Sequence, residues 1–276
     1  MADELPYKPR PLPDDVVEAR EHFAAKQAAE LQVVQPELDA AIAVARDALD
    51  RLDGYHAAVA DRSDLDLSFE PGSRPLALWE STAAAIGLSR AFVDLVALGY
   101  HAQILPTYRA IHELLGVVSV LDDENEAEFL TSWLADDKVR QHKVRAAATR
   151  ETERLADPMA DAGNDDAPAD AGESMKKLYG PLSDISHGRR LAVRTYVSEP
   201  LRLAATGPHP DPDQRLAHHE LGLLLIEQVV LVVGAALWTL YGGTFYHDRI
   251  APLQDAVQQA AEHLARVREE SSAANG

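Results

Sequence analysis

Apolar residues recur along most of this chain at helical spacing, and that pattern predicts an all-α protein. After an opening that holds Pro6, Pro9, Pro11 and Pro13, Asp14 and Asp15 are expected to start a helix with Val16, Val17, Phe23 and Leu31 inward. Pro36 is expected to restart it as a second helix, to about Ala60, with Leu38, Ile42, Ala45, Leu49 and Leu52 on one face. The Asp, Ser, Gly and Pro content of 61–75 marks a loop. Helices are expected from about Leu76 to Gly99 and on to about Leu121, with Pro106 as a start or kink. Asp122 and Asp123, followed by Glu126, look like the cap and acidic first turn of a helix to about Ala156.

The second half continues the theme with one interruption. DPMADAGNDDAPADAGES is acidic and rich in Ala and Gly, and a mobile loop is expected at about 157–173. A helix from about Ser174 to His187 follows, then VRTYVSEPLRLAA, which has the makings of a small β-hairpin near 193–205. Asp211-Pro212 is a cap followed by proline at a first helical position. The helix it opens contains LGLLLIEQVVLVVGAALWTL, and a last amphipathic helix is expected from about Ala251 to Glu270. The expectation is therefore a helical bundle of about seven or eight helices. Residues 1–13 are expected to form a flexible arm, 14–270 a single domain, and 271–276 a disordered tail.

The apolar run at 221–240 has the length of a membrane span. Glu227 and Gln228 stand at its centre, where a carboxylate costs about 2–3 kcal/mol on insertion scales. A helix apolar all round also suits the middle of a large bundle, and that reading is preferred here.

Composition narrows the function. The 276 residues carry a net charge of -19, so the chain has no general attraction to a nucleic-acid backbone or an anionic membrane. Lys138, Arg140, Lys143, Arg145 and Arg150 cluster, but among many acids they read as a solvated helix face. There is no cysteine, which excludes disulfides, thiolate metal sites and thiol nucleophiles. The opening MADELPYKPRPLPDD has no apolar run of the kind a secretory leader uses, and a cytoplasmic location is expected.

The familiar catalytic signatures GxxxxGK, GxGxxG, HExxH and GxSxG are absent. Asp53-x-x-His56 and Asp184-x-x-His187 have the i, i+3 spacing of a carboxylate–imidazole metal pair, with Asp where a bundle site uses Glu. His218-His219-Glu220 puts neighbours on different helix faces and chelates poorly. No metal site and no cofactor are expected. Arg109 and Glu113, four apart, share a face of the apolar segment Ile104–Leu121, with His112 beside them. They make either a structural ion pair or a polar site in a groove. Ser183 and His187 are also four apart, near a helix end stopped by Gly188 and followed by Arg189.

The stretch GYHAQILPTYRAIHELLGVVSVLDDENEAEFLTSWLADDKVRQHK, together with LYGPLSDISHGRR, resembles the helical family of unknown function called DUF5677, over roughly 96–195. Arg109 and Glu113 match its R-x-x-x-E core, and Ser183 and His187 its Ser-x-x-x-His. That layout is similar to the HEPN superfamily, whose active members are metal-independent RNases with an Arg-x4–6-His motif. Arg51–His56 and Arg202–His209 have that spacing, about the number expected by chance from 20 Arg and 11 His.

Two readings follow. The first is a non-catalytic binding or scaffold protein, with a homodimer as one candidate assembly and Arg109, His112, Glu113, Ser183, His187 and Arg189 as candidate binding residues for an unknown protein or small molecule. The second is a HEPN-like RNase or defence-associated effector. There His187 is general acid or base, Arg109 or Arg189 contacts phosphate, Glu113 completes the set, and RNA is the partner. A third, membrane-associated reading rests on 221–240 alone. The acidic charge and the imperfect motif favour the first.

Overall fold

The computed structural model describes residues 14–61, 70–123, 127–135, 197–198, 203–204 and 212–275. Among them are six α-helices: α1 (Asp14–Ala60), α2 (Arg74–Leu98), α3 (His101–Asp122), α4 (Ala127–Leu134), α5 (Pro212–Tyr241) and α6 (Ala251–Asn275). A π-helical turn, Tyr246–Ile250, leads into α6. Two short strands, β1 (Val197–Ser198) and β2 (Leu203–Ala204), pair antiparallel within the stretch expected to make a hairpin. The protein is all-α in class.

α1 does not break at Pro36. The proline lies inside one continuous 47-residue helix and is exposed. Its missing N–H and the carbonyl it frees therefore face water rather than the core. Val34 just before the proline and Leu38, Ala41, Ala45, Leu49 and Leu52 after it are buried, and this apolar face holds the helix against the bundle. The second correction concerns Asp122 and Asp123. They end α3 rather than open the next helix: Asp122 is the last helical residue, and the Asp123 N–H donates to Ser119 O at 3.3 Å. Burial of Val118, Val120 and Leu121 carries α3 that far. At the C-terminus, helix α6 continues to Asn275 through the expected tail. Ser271 Oγ donates to Asp213 at 3.0 Å and ties that turn to the start of α5.

α5 is the central helix, packed against α1, α2, α3 and α6. Leu225, Ile226, Val229, Val230, Val233 and Leu237 are each 0% exposed. Three helical segments are long and apolar enough to cross a membrane by length and composition: α2, residues 103–122 of α3, and α5. α5, as the central helix, buries most of its apolar residues against α1, α2, α3 and α6.

One close contact fixes α5 against the π turn. A Cβ on Gly234 would stand 2.4 Å from Ile250 Cγ2. Glycine to alanine inside a helix ordinarily stabilises by about 1 kcal/mol. Here the sign reverses: Gly234→Ala is expected to destabilise by about 1–3 kcal/mol through overpacking. Urea unfolding of Gly234→Ala, Ile250→Ala and the double variant checks this. The double should lose clearly less than the sum of the singles, and full additivity would remove the contact as the cause.

Candidate functional site

The residues singled out by spacing fall into two groups. Ser183, His187 and Arg189 lie outside the described residues, as do residues 136–156 of the helix expected to run to about Ala156, the helix expected at about 174–187 and the acidic loop at 157–173. Arg109, His112 and Glu113 lie on the middle turns of α3. Arg109 Nε donates to Glu113 Oε1 at 2.9 Å, with the two side chains 15% and 28% exposed. The i, i+4 register brings the groups together, and partial burial shields the pair from water. His112 is 7% exposed, and burial holds its imidazole below the ordinary histidine range, with the Glu113 charge pulling the other way. A neutral imidazole beside a closed ion pair is a polar turn set into an apolar helix. One turn earlier, Tyr108 is fully enclosed, and burial pushes its hydroxyl up to about 12 against the opposing hydrogen bond from Gln228 of α5.

Asp53 and His56, considered as a metal pair, go separate ways. Asp53 accepts from Arg90 at 3.0 Å. His56 Nε2 hydrogen-bonds to the Trp79 carbonyl at 2.8 Å while the two rings stack at 4.7 Å. Arg51, of the Arg51–His56 spacing, bonds Asp47 at 2.8 Å. Among the described residues no group of three or more His, Asp or Glu is arranged to hold a metal ion. Glu227 is half-buried. Burial raises its carboxyl above the usual range, a hydrogen bond with Gln254 lowers it, and the Glu262 charge adds to the rise.

A second polar cluster joins α5 to the end of α2. Arg215 is 6% exposed and its Nη2 donates to Ala97 O at 3.0 Å, capping the last turn of α2 from a distant part of the chain. Its guanidinium lies over Gly99, the αL residue at the α2 C-terminus (φ 76°). Burial lowers Arg215 from its ordinary value, with Asp39 opposing. One turn on, His219 is 2% exposed, and its Nδ1 donates to the Arg215 carbonyl at 2.8 Å. The imidazole lines a small pocket between α1, α2 and α5 whose other walls include Ile42, Phe92 and Gly222. Sequence reading did not find this cluster. Its signal was present, an Arg and a His four apart at the mouth of an apolar helix, the same spacing that drew attention to Arg109 and Glu113.

Compared with protein-family models, with curated proteins and with solved structures, the chain shows no match.

Proposed function

We propose that this chain is a non-catalytic helical binding or scaffold protein of the cytoplasm, acting as a homodimer, in which the Arg109 turn is structural. The closed Arg109–Glu113 pair carries the reading. Glu113 holds Arg109 through Nε at 2.9 Å in a half-enclosed setting and offsets its charge, which weakens the pull of Arg109 on a phosphate. A phosphate entering there would meet the Glu113 charge at close range. The net charge of -19 works in the same direction.

Charges on α1 and α2 support an aqueous setting. Arg46–Asp94, Arg51–Asp47 and Arg90 with Asp50 and Asp53 have side chains between 44% and 69% exposed. Such exposed charges at the centre of a lipid-facing helix would cost about 2.5–3.5 kcal/mol each.

Incubation of the purified protein with labelled RNA tests the reading. The wild-type chain and His187→Ala are expected to leave the RNA equally intact. Cleavage by the wild type that is lost in His187→Ala and weakened in Arg109→Ala would overturn it in favour of the HEPN-like RNase.

A further inference from the structure

One end of the bundle is aromatic. Tyr241 stacks on Phe245 at 4.3 Å, and Tyr55 of α1 meets Phe245 edge-on at 5.4 Å. Above this layer Trp238 is 46% exposed and 6.0 Å from the Tyr246 ring. Its indole N–H donates to Gly243 O at 3.0 Å, so the ring is held in place rather than free to fold away. Beside it Gly242 and Gly243 have φ of 70° and 66°, and a Cβ on either would meet nothing within 4 Å. A fixed Trp–Tyr pair bordered by bare, open backbone is a surface that an extended chain can approach closely. Rigid aromatic rings of this kind lose little side-chain entropy on binding.

The chain contains a segment of matching chemistry. Pro6-Tyr-Lys-Pro-Arg-Pro-Leu-Pro13 holds four prolines in eight residues, with Lys8 and Arg10 and no acid. Proline-rich segments adopt a preformed extended helix that docks on Trp and Tyr faces at small entropic cost. Two cations in a chain of net charge -19 are also attracted to the body. The arm cannot reach the patch of its own copy. It leaves α1 at Asp14, and the 41 residues from there to Tyr55 place the aromatic end about 60 Å away. Thirteen residues span at most about 45 Å.

We propose that two copies associate by exchanging arms, with Pro6–Pro13 of each lying across the Trp238–Tyr246 patch of the other. This rests on the homodimer part of the reading above and names its interface. The exchange is self-complementary, so both arms and both patches are used, and each contact raises the effective concentration for the other.

Sedimentation and light scattering of the full chain test it. Three forms are compared: wild type, Trp238→Ala, and a variant with Pro6, Pro9, Pro11 and Pro13 all replaced by serine. The wild type is expected to be a dimer. Each variant should dissociate at concentrations at least about tenfold higher than the wild type, with an unchanged helical spectrum. A mixture of the two variants restores one intact arm–patch contact and should recover part of the association, which a merely misfolded variant would not do. A monomeric wild type overturns both this inference and the homodimer reading. A dimer indifferent to either variant overturns this inference alone. So does cosedimentation of the wild type with phosphatidylcholine vesicles that needs Trp238 but not the prolines, which would assign the patch to a lipid surface.

Discussion

Gly99→Ala is expected to lower the unfolding free energy by about 3 kcal/mol. Two costs combine. A left-handed residue with a Cβ loses about 1–2 kcal/mol relative to glycine. The Cβ would also stand 1.9 Å from Arg215 Nη1 and 2.7 Å from Cζ. The guanidinium must therefore leave a buried seat and give up the Ala97 carbonyl, and hydrogen bonds from a charged donor contribute about 1.5–3 kcal/mol. On an exposed glycine cap the same substitution would carry only the conformational cost. Denaturant unfolding of Gly99→Ala, Arg215→Met and the double variant separates the two. Arg215→Met alone removes the charged donor from the half-buried Ala97 carbonyl, and the double variant no longer contains the overlap. The double should therefore be well short of the sum. Strict additivity would mean that the alanine acts through the backbone alone.

That lock also shows where sequence reading stops. Local geometry was legible. Arg109 and Glu113 were paired by their i, i+4 spacing, and the pair closes at 2.9 Å. The all-round apolar stretch after Asp211-Pro212 was read as a central core helix, and α5 packs against four other helices. Gly99 marked a helix end and is the αL residue there. What escaped was set by distance along the chain. Arg215 and Ala97 are 118 residues apart, and nothing in either neighbourhood names the other. In sequence, His219 stands only beside His218 and Glu220. Its surroundings are instead the walls of three helices that meet only in the folded chain.

The two misplaced helix boundaries have a related cause. Pro36 carries a local penalty of about 3 kcal/mol in a helix interior, and local reasoning breaks the helix there. The structure offsets that penalty with Val34 just before the proline and the buried run from Leu38 to Leu52 after it. Asp122 and Asp123 have the composition of a helix start, and composition alone does not tell a start from an end. The decision falls to Leu121, which is 1% exposed and keeps α3 helical until its apolar face is complete. In both places tertiary burial outweighs a local signal worth a few kcal/mol.

The same enclosure gives the protein an acid-sensitive joint. Burial pushes the His219 imidazole down to about 4, and the positive charges of Arg215 and His218 add to the fall. The hydrogen bond to the Arg215 carbonyl and the Asp39 charge oppose it. In the unfolded chain the ring titrates near its ordinary value of about 6.5. Between those values the unfolded state binds a proton that the folded state does not, so stability must fall as the pH falls. The contribution is complete above about pH 6.5 and is lost progressively on the way down to about pH 4, amounting to about 3 kcal/mol. His219→Leu removes the titrating ring while leaving an apolar side chain against Phe92 and Ile42. Carboxylates elsewhere weaken on acidification in both chains, so the difference between the two unfolding free energies isolates His219. The wild-type value minus the variant value should fall steadily from pH 7 to pH 4, whatever its starting sign. The helices α1, α2 and α5 meet at this residue, so the loosening should start there and show first in hydrogen exchange at the α2 C-terminus. Parallel curves for the two chains across the window would mean that His219 is already solvated in the folded protein, and the joint would not be acid-sensitive.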